Sequence, residues 1–65
     1  MANKVYWRIF ERDGWLEYHC SAELQDVCEG KARSQAIRLD SPHRDRVEKG
    51  WREEIKNFGD LMVEV

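Results

Sequence analysis

Val5-Tyr6-Trp7-Arg8-Ile9-Phe10 and Trp15-Leu16-Glu17-Tyr18-His19-Cys20 stand on either side of Asp13-Gly14. Both runs are rich in β-branched and aromatic residues, and Asp-Gly tolerates the positive φ that a tight type I′ turn needs, so the stretch reads as a β-hairpin. A two-residue turn pairs Arg12 with Trp15. Because strand side chains alternate, Val5, Trp7, Ile9, Leu16, Tyr18 and Cys20 then share one face, and Tyr6, Arg8, Phe10, Trp15, Glu17 and His19 share the other. A four-residue turn sorts them the same way. A three-residue turn with a bulge at Gly14 would flip one strand against the other.

Outward from the hairpin, the clearest element is a helix over 42–58. Ser41 suits the N-cap, Pro42 the first helical position, and Val47, Trp51, Ile55 and Phe58 recur at helical spacing. Asp45/Lys49 and Glu48/Arg52 form i,i+4 pairs that keep the opposite side wet. Gly59 supplies a left-handed stop, and Leu61-Met62-Val63-Glu64-Val65 reads as a terminal strand with Leu61, Val63 and Val65 inward. Residues 21–40 are ambiguous. Ala22 to Cys28 reads as a short helix or an extended lead into Gly30, and Gln35 to Leu39 as a helical turn or a short strand.

A chain of 65 residues can hold one hydrophobic core, so residues 1–65 form a single domain. Apolar residues make up 42% of it and include three tryptophans, which favours a packed core over disorder. The opening Met1-Ala2-Asn3-Lys4 leads into a mixed aromatic and basic segment rather than an apolar one, and no apolar run has membrane-spanning length. Cys20 and Cys28 are then expected as reduced thiols, and the expected location is the cytoplasm of a prokaryote or of a phage-infected host cell, with no membrane contact. Net charge is −2, unevenly spread: residues 21–30 carry −3 through Glu23, Asp26 and Glu29, and residues 31–46 carry +3. A nucleic-acid binder usually shows an overall basic excess, so direct nucleic-acid binding is the less favoured reading.

The segment from Cys20 to Ile37 resembles the stretch that follows the opening hairpin of HicB-type antitoxins. In those proteins a Pro-Glu-Leu-Pro-Gly turn leads to a glycine, a capping threonine and a helix starting with a Glu-Ala pair. Glu23-Leu24, Gly30 and Ala36 match. Ala22 and Gln25 replace the prolines, Asp26 the turn glycine and Ala32 the threonine. The resemblance covers residues 4–40 and implies a curved antiparallel sheet with helical packing and a role in masking a toxin ribonuclease. In size and character the chain is also similar to the anti-CRISPR inhibitors of phages, with no shared motif.

Reactive groups are sparse. The two cysteines are too far apart for a C-x₂₋₄-C zinc pair, and His19 and Cys20 point to opposite faces of one strand, so neither a metal site nor a Cys–His dyad is expected. No Gly-rich phosphate loop exists. The expectation is no catalytic residue, no metal and no cofactor. The sharper hint is the second hairpin face. Tyr6, Phe10 and Trp15 interleaved with Arg8, Glu17 and His19 have the composition of an interface hot spot, unless a further layer covers them as core. Arg44 and Arg46, with His43, Lys31, Arg33 and Arg38, can form a basic patch, and Glu23, Asp26 and Glu29 an acidic one.

The fold expected is α+β: an antiparallel sheet, hairpin first and terminal strand last, against one main helix. The core expected is Trp7, Ile9, Leu16, Tyr18, Val47, Trp51, Ile55, Phe58, Leu61 and Val63. The function expected is a non-enzymatic, protein-binding inhibitor that occludes a nucleic-acid-processing protein or ribonucleoprotein complex. A small nucleic-acid-binding protein and a structural homo-oligomer subunit, such as a homodimer, are the alternatives.

Overall fold

The computed structural model describes residues 3–65. Its elements are β1 (Val5–Arg12), β2 (Trp15–Ser21), α1 (Leu24–Cys28), β3 (Arg33–Arg38), α2 (Arg44–Asn57), a 3₁₀ turn (Gly59–Leu61) and β4 (Met62–Glu64). The fold is α+β, a four-stranded sheet against one main helix. No helix among the described residues is long and apolar enough to cross a membrane.

The hairpin forms in the two-residue register, with Arg12 opposite Trp15 and Trp7 opposite Cys20. Asp13 (φ 53°) and Gly14 (φ 84°) both take the left-handed region that this turn demands. Both faces therefore sort as the sequence implies. α2 lies across the face of Trp7, Leu16 and Tyr18, where Trp51 and Ile55 close the core. Trp51 stacks on Tyr18 with ring centroids 5.7 Å apart, and its Nε1–H donates to Gln35 Oε1 at 2.8 Å. That bond satisfies the one polar atom of a buried indole. Ile9, Cys20, Ile37, Leu39, Val47 and Met62 pack around this cluster. Outside it, Glu48 and Arg52 form the expected i,i+4 pair at 3.0 Å.

The sheet order is β3-β2-β1-β4, and β4 runs parallel to β1, so the sheet is mixed rather than antiparallel. Two further expectations fail at this end of the chain. α2 stops at Asn57, leaving Phe58 53% exposed instead of in the core. Gly59 (φ 60°) then opens the 3₁₀ turn, which uses up Leu61 and leaves it 44% exposed. Met62, paired with Val5, therefore enters on the α2 side, and Val63, paired with Tyr6, faces away. One extra residue in a turn exchanges every inward and outward position of the strand after it. At the other end of α2, Pro42 and His43 form a turn before the helix, and Ser41 Oγ accepts from the His43 N–H at 3.2 Å.

The ambiguous middle resolves into one short helix and one strand. Ala36, which matches the helical part of the antitoxin pattern, lies in β3. β3 pairs with β2 through a bulge: Tyr18 is opposite Gln35 and His19 opposite Arg33, leaving Ser34 as the extra residue. Arg33 and Arg38 are five apart and would face opposite ways in a regular strand. The bulge brings both to the face away from α2, since their partners His19 and Trp15 are there.

Candidate functional site

The face of the sheet away from α2 concentrates the chain's unusual chemistry. Tyr6, Arg8, Phe10 and Arg12 reach it from β1, Trp15, Glu17 and His19 from β2, and Arg33 and Arg38 from β3. Four arginines and three aromatics thus share one surface with a single carboxylate.

The segment after β2 folds back over part of it. Val27 of α1 is completely buried there. Arg8 Nη1 donates to the Cys28 carbonyl at 3.4 Å and Arg12 Nη2 to the Gly30 carbonyl at 3.1 Å, so basic side chains cap the carbonyls that the short helix leaves open. Beneath this cover, Arg12 grips Glu17 with two hydrogen bonds, Nε–H to Oε2 at 3.1 Å and Nη2–H to Oε1 at 2.8 Å. Glu17 Oε1 also meets His19 Nε2 at 2.7 Å. Phe10 lies over the His19 ring with centroids 4.8 Å apart, and the Arg8 guanidinium sits 4.1 Å above the Phe10 ring. Burial pushes the Glu17 carboxyl upward, but the Arg12 and His19 hydrogen bonds outweigh it and hold the group below the usual carboxylate range. His19 Nδ1 is buried and meets no partner among the described residues. The Nε2–H tautomer, donating to Glu17, is the one that leaves no buried hydrogen unpaired.

These positions divide the proposed partner-binding residues. Glu17 and His19, 4% and 0% exposed, are internal, joined to each other and to Arg12. They present nothing to a partner while α1 is in place. Tyr6, Arg8 and Phe10 are half-buried at its margin, and Trp15 is 36% exposed with the Arg38 guanidinium 5.0 Å from its ring centre. The basic patch is not assembled. Arg44 donates to Glu11 at 3.2 Å on the α2 side and Arg46 is exposed on α2, whereas Arg33 and Arg38 lie on the opposite face. Glu23, Asp26 and Glu29 are exposed on or beside α1. Glu29 is held below its usual range by hydrogen bonds from Gln25 and Lys31. Arg12, central to the buried network, was not among the sequence candidates. The signal was available, because the two-residue turn puts Arg12 on the same face as Glu17.

Gly30 ends the cover in a left-handed conformation. Its φ of 72° suits glycine, and an added Cβ would stand 2.4 Å from Arg12 Nη1. Gly30→Ala must adopt a strained backbone and displace the end of the Arg12 guanidinium. The expected cost is about 1–2 kcal/mol from the left-handed conformation alone, measured as a lower urea midpoint.

On the α2 side, a cleft of about 210 Å³ opens beneath the end of the helix, lined by Val5, Tyr18, Cys20, Ser34, Gln35, Glu54, Phe58 and Met62. Cys20 Sγ lies 3.2 Å from Ser34 Oγ. Burial first, then the Cys20 hydrogen bond, then the charges of Cys20 and Glu54 raise the Tyr18 hydroxyl above its ordinary range. Cys20 and Cys28 are unpaired thiols, and no group of three or more His, Cys, Asp or Glu side chains among the described residues is placed to share a metal ion. Comparison of the chain with protein-family models, with curated proteins and with solved structures gave no match.

Proposed function

We propose that this chain is a non-enzymatic protein-binding module, an inhibitor or antitoxin-type domain that occludes a larger nucleic-acid-processing protein or ribonucleoprotein. The observation that carries the reading is that large apolar side chains stay exposed after α2: Phe58, Leu61 and Val65 are 53%, 44% and 42% exposed, with Phe58 at the rim of the α2-side cleft. A chain this small has few large apolar groups to spare from its core, and exposed apolar anchors are what a protein partner buries. The cleft that Phe58 borders gives such a partner a recess for an anchoring side chain.

The test begins with a partner isolated on the immobilised wild-type chain. Phe58→Ser combined with Leu61→Ser is expected to weaken its capture at least tenfold. Both side chains are about half exposed, so folding stability should fall by about 1–3 kcal/mol and the variant should remain folded, which circular dichroism checks. Unchanged capture would remove this surface from the reading.

The exposed Trp15, Arg33 and Arg38 of the outer face favour a second reading, direct binding of single-stranded nucleic acid by stacking and phosphate contacts. A gel shift at low salt separates the two, since phosphate contacts are strongest there. An oligonucleotide shifted by the wild-type chain, and released by Arg33→Glu with Arg38→Glu, would favour the second.

A further inference from the structure

We propose that the free edge of β3 is the docking site for an extended acidic segment of the partner, which joins the sheet as a fifth strand. The inference rests on the protein-binding reading above and names the chemistry of the segment recognised.

β3 is the terminal strand on its side and pairs with β2 alone. In any strand, alternate residues turn their backbone N–H and C=O groups away from the neighbour, so the far side of Arg33–Arg38 presents a row of donors and acceptors. Such an edge is a template for another polypeptide. On the opposite side the edge strand β4 is only three residues long and pairs with Val5–Trp7 of β1.

Charge selects what the template accepts. The bulge at Ser34 sets Arg33 and Arg38 on the same face, near the two ends of the strand, with Ala36 between them. No side-chain ion pair holds either arginine among the described residues, and Arg38 lies over Trp15. A strand whose carboxylates fall on the outer face would meet both guanidiniums as cross-strand partners. A second copy of this chain would not fit: antiparallel pairing of two β3 edges about their centre sets Arg33 opposite Arg38 twice, and like charges directly opposed destabilise a ladder. Toward the α2 side, Ser34 and Gln35 belong both to β3 and to the lining of the cleft bordered by Phe58. An incoming strand therefore meets basic groups with one set of alternate side chains and a recess of mixed apolar and polar lining with the other. The favoured segment alternates acidic and apolar residues. A nucleic acid would satisfy the arginines but not the row of backbone groups.

Three blocked six-residue peptides test this: (Glu-Val)₃, (Lys-Val)₃, and (Glu-Val)₃ with alternate amides N-methylated. Each is titrated into the intact chain while amide shifts are followed by NMR. The expected result is binding of (Glu-Val)₃ with shifts centred on residues 33–38, about tenfold tighter than (Lys-Val)₃, as two reversed cross-strand charge pairs imply. N-methylation should abolish it. Arg33→Glu with Arg38→Glu should invert the preference. Arg33→Glu alone, which breaks no side-chain hydrogen bond or ion pair among the described residues, should narrow it and guards against a folding defect in the double variant. Equal affinity for both peptides, shifts centred elsewhere, or binding indifferent to N-methylation would overturn the proposal. Partner capture distinguishes the levels. If Arg33→Glu/Arg38→Glu captures the partner normally while Phe58→Ser/Leu61→Ser does not, strand addition is wrong and the protein-binding reading stands. If neither variant alters capture, both fall.

Discussion

Trp51→Ala is expected to leave the chain largely unfolded. Truncating a buried tryptophan costs about 3–5 kcal/mol through lost transfer energy and the cavity left behind. A chain of 65 residues has about 3–10 kcal/mol of total stability at typical per-residue values, so one substitution removes much or all of it. Three contributions disappear together at this position. The indole closes the α2 side of the core, it stacks on Tyr18, and its N–H leaves Gln35 without a partner when removed. Trp51→Phe keeps an aromatic ring but loses the hydrogen bond and part of the buried indole, so a smaller loss of about 1–3 kcal/mol is expected. Circular dichroism across a urea series reads both. An Ala variant that unfolds near the wild-type midpoint would show that α2 is not the main cover of the sheet.

Glu17→Ala is expected to have the second largest effect. Removing one member of a buried charge network leaves its partners unsatisfied, at a cost of about 3–5 kcal/mol in fully buried cases. Arg12 is 41% exposed and can turn to water, so the lower end, about 3 kcal/mol, is expected here. Glu17→Gln should cost less, because an amide still accepts from one partner. The pH dependence has a definite sign. The folded carboxyl lies below its ordinary value of 4.5, so the unfolded chain takes up the proton first. The stabilisation is complete above that value and is lost as the pH falls below it, through the lowered folded value. Glu17→Gln should flatten that part of the stability curve. A variant that weakens partner capture with wild-type stability would instead make Glu17 a surface contact.

The hairpin and α2 were legible because each carries a long, consistent pattern: β-branched and aromatic runs on either side of Asp13-Gly14, and apolar residues at 47, 51 and 55. The pattern stopped being informative where one residue decides. At the end of α2, periodicity placed Phe58 inward, yet the helix stops one residue before it. A three-residue turn then shifts β4 by one position. Between 21 and 40 the elements are too short for a period. α1 buries only Val27, and β3 alternates only until Ser34 interrupts it. For the site, alternation placed Glu17 and His19 correctly on the outer face, but their burial depends on α1 folding back, a long-range contact with no local signature. The same fold-back turned a row that looked like a partner surface into a partly internal network held by Arg12.

The parallel pairing of β4 with β1 has a practical corollary. Val5 lies against Met62, and the Val65 N–H donates to the Trp7 carbonyl at 2.9 Å, so the start of β1 and the end of β4 lie at one margin of the sheet. β3 is the opposite margin. An affinity handle, a fluorophore or a tether to a sensor chip can therefore be joined before Asn3 or after Val65 without crowding Arg33–Arg38, and an attachment at the loop before β3 would crowd them.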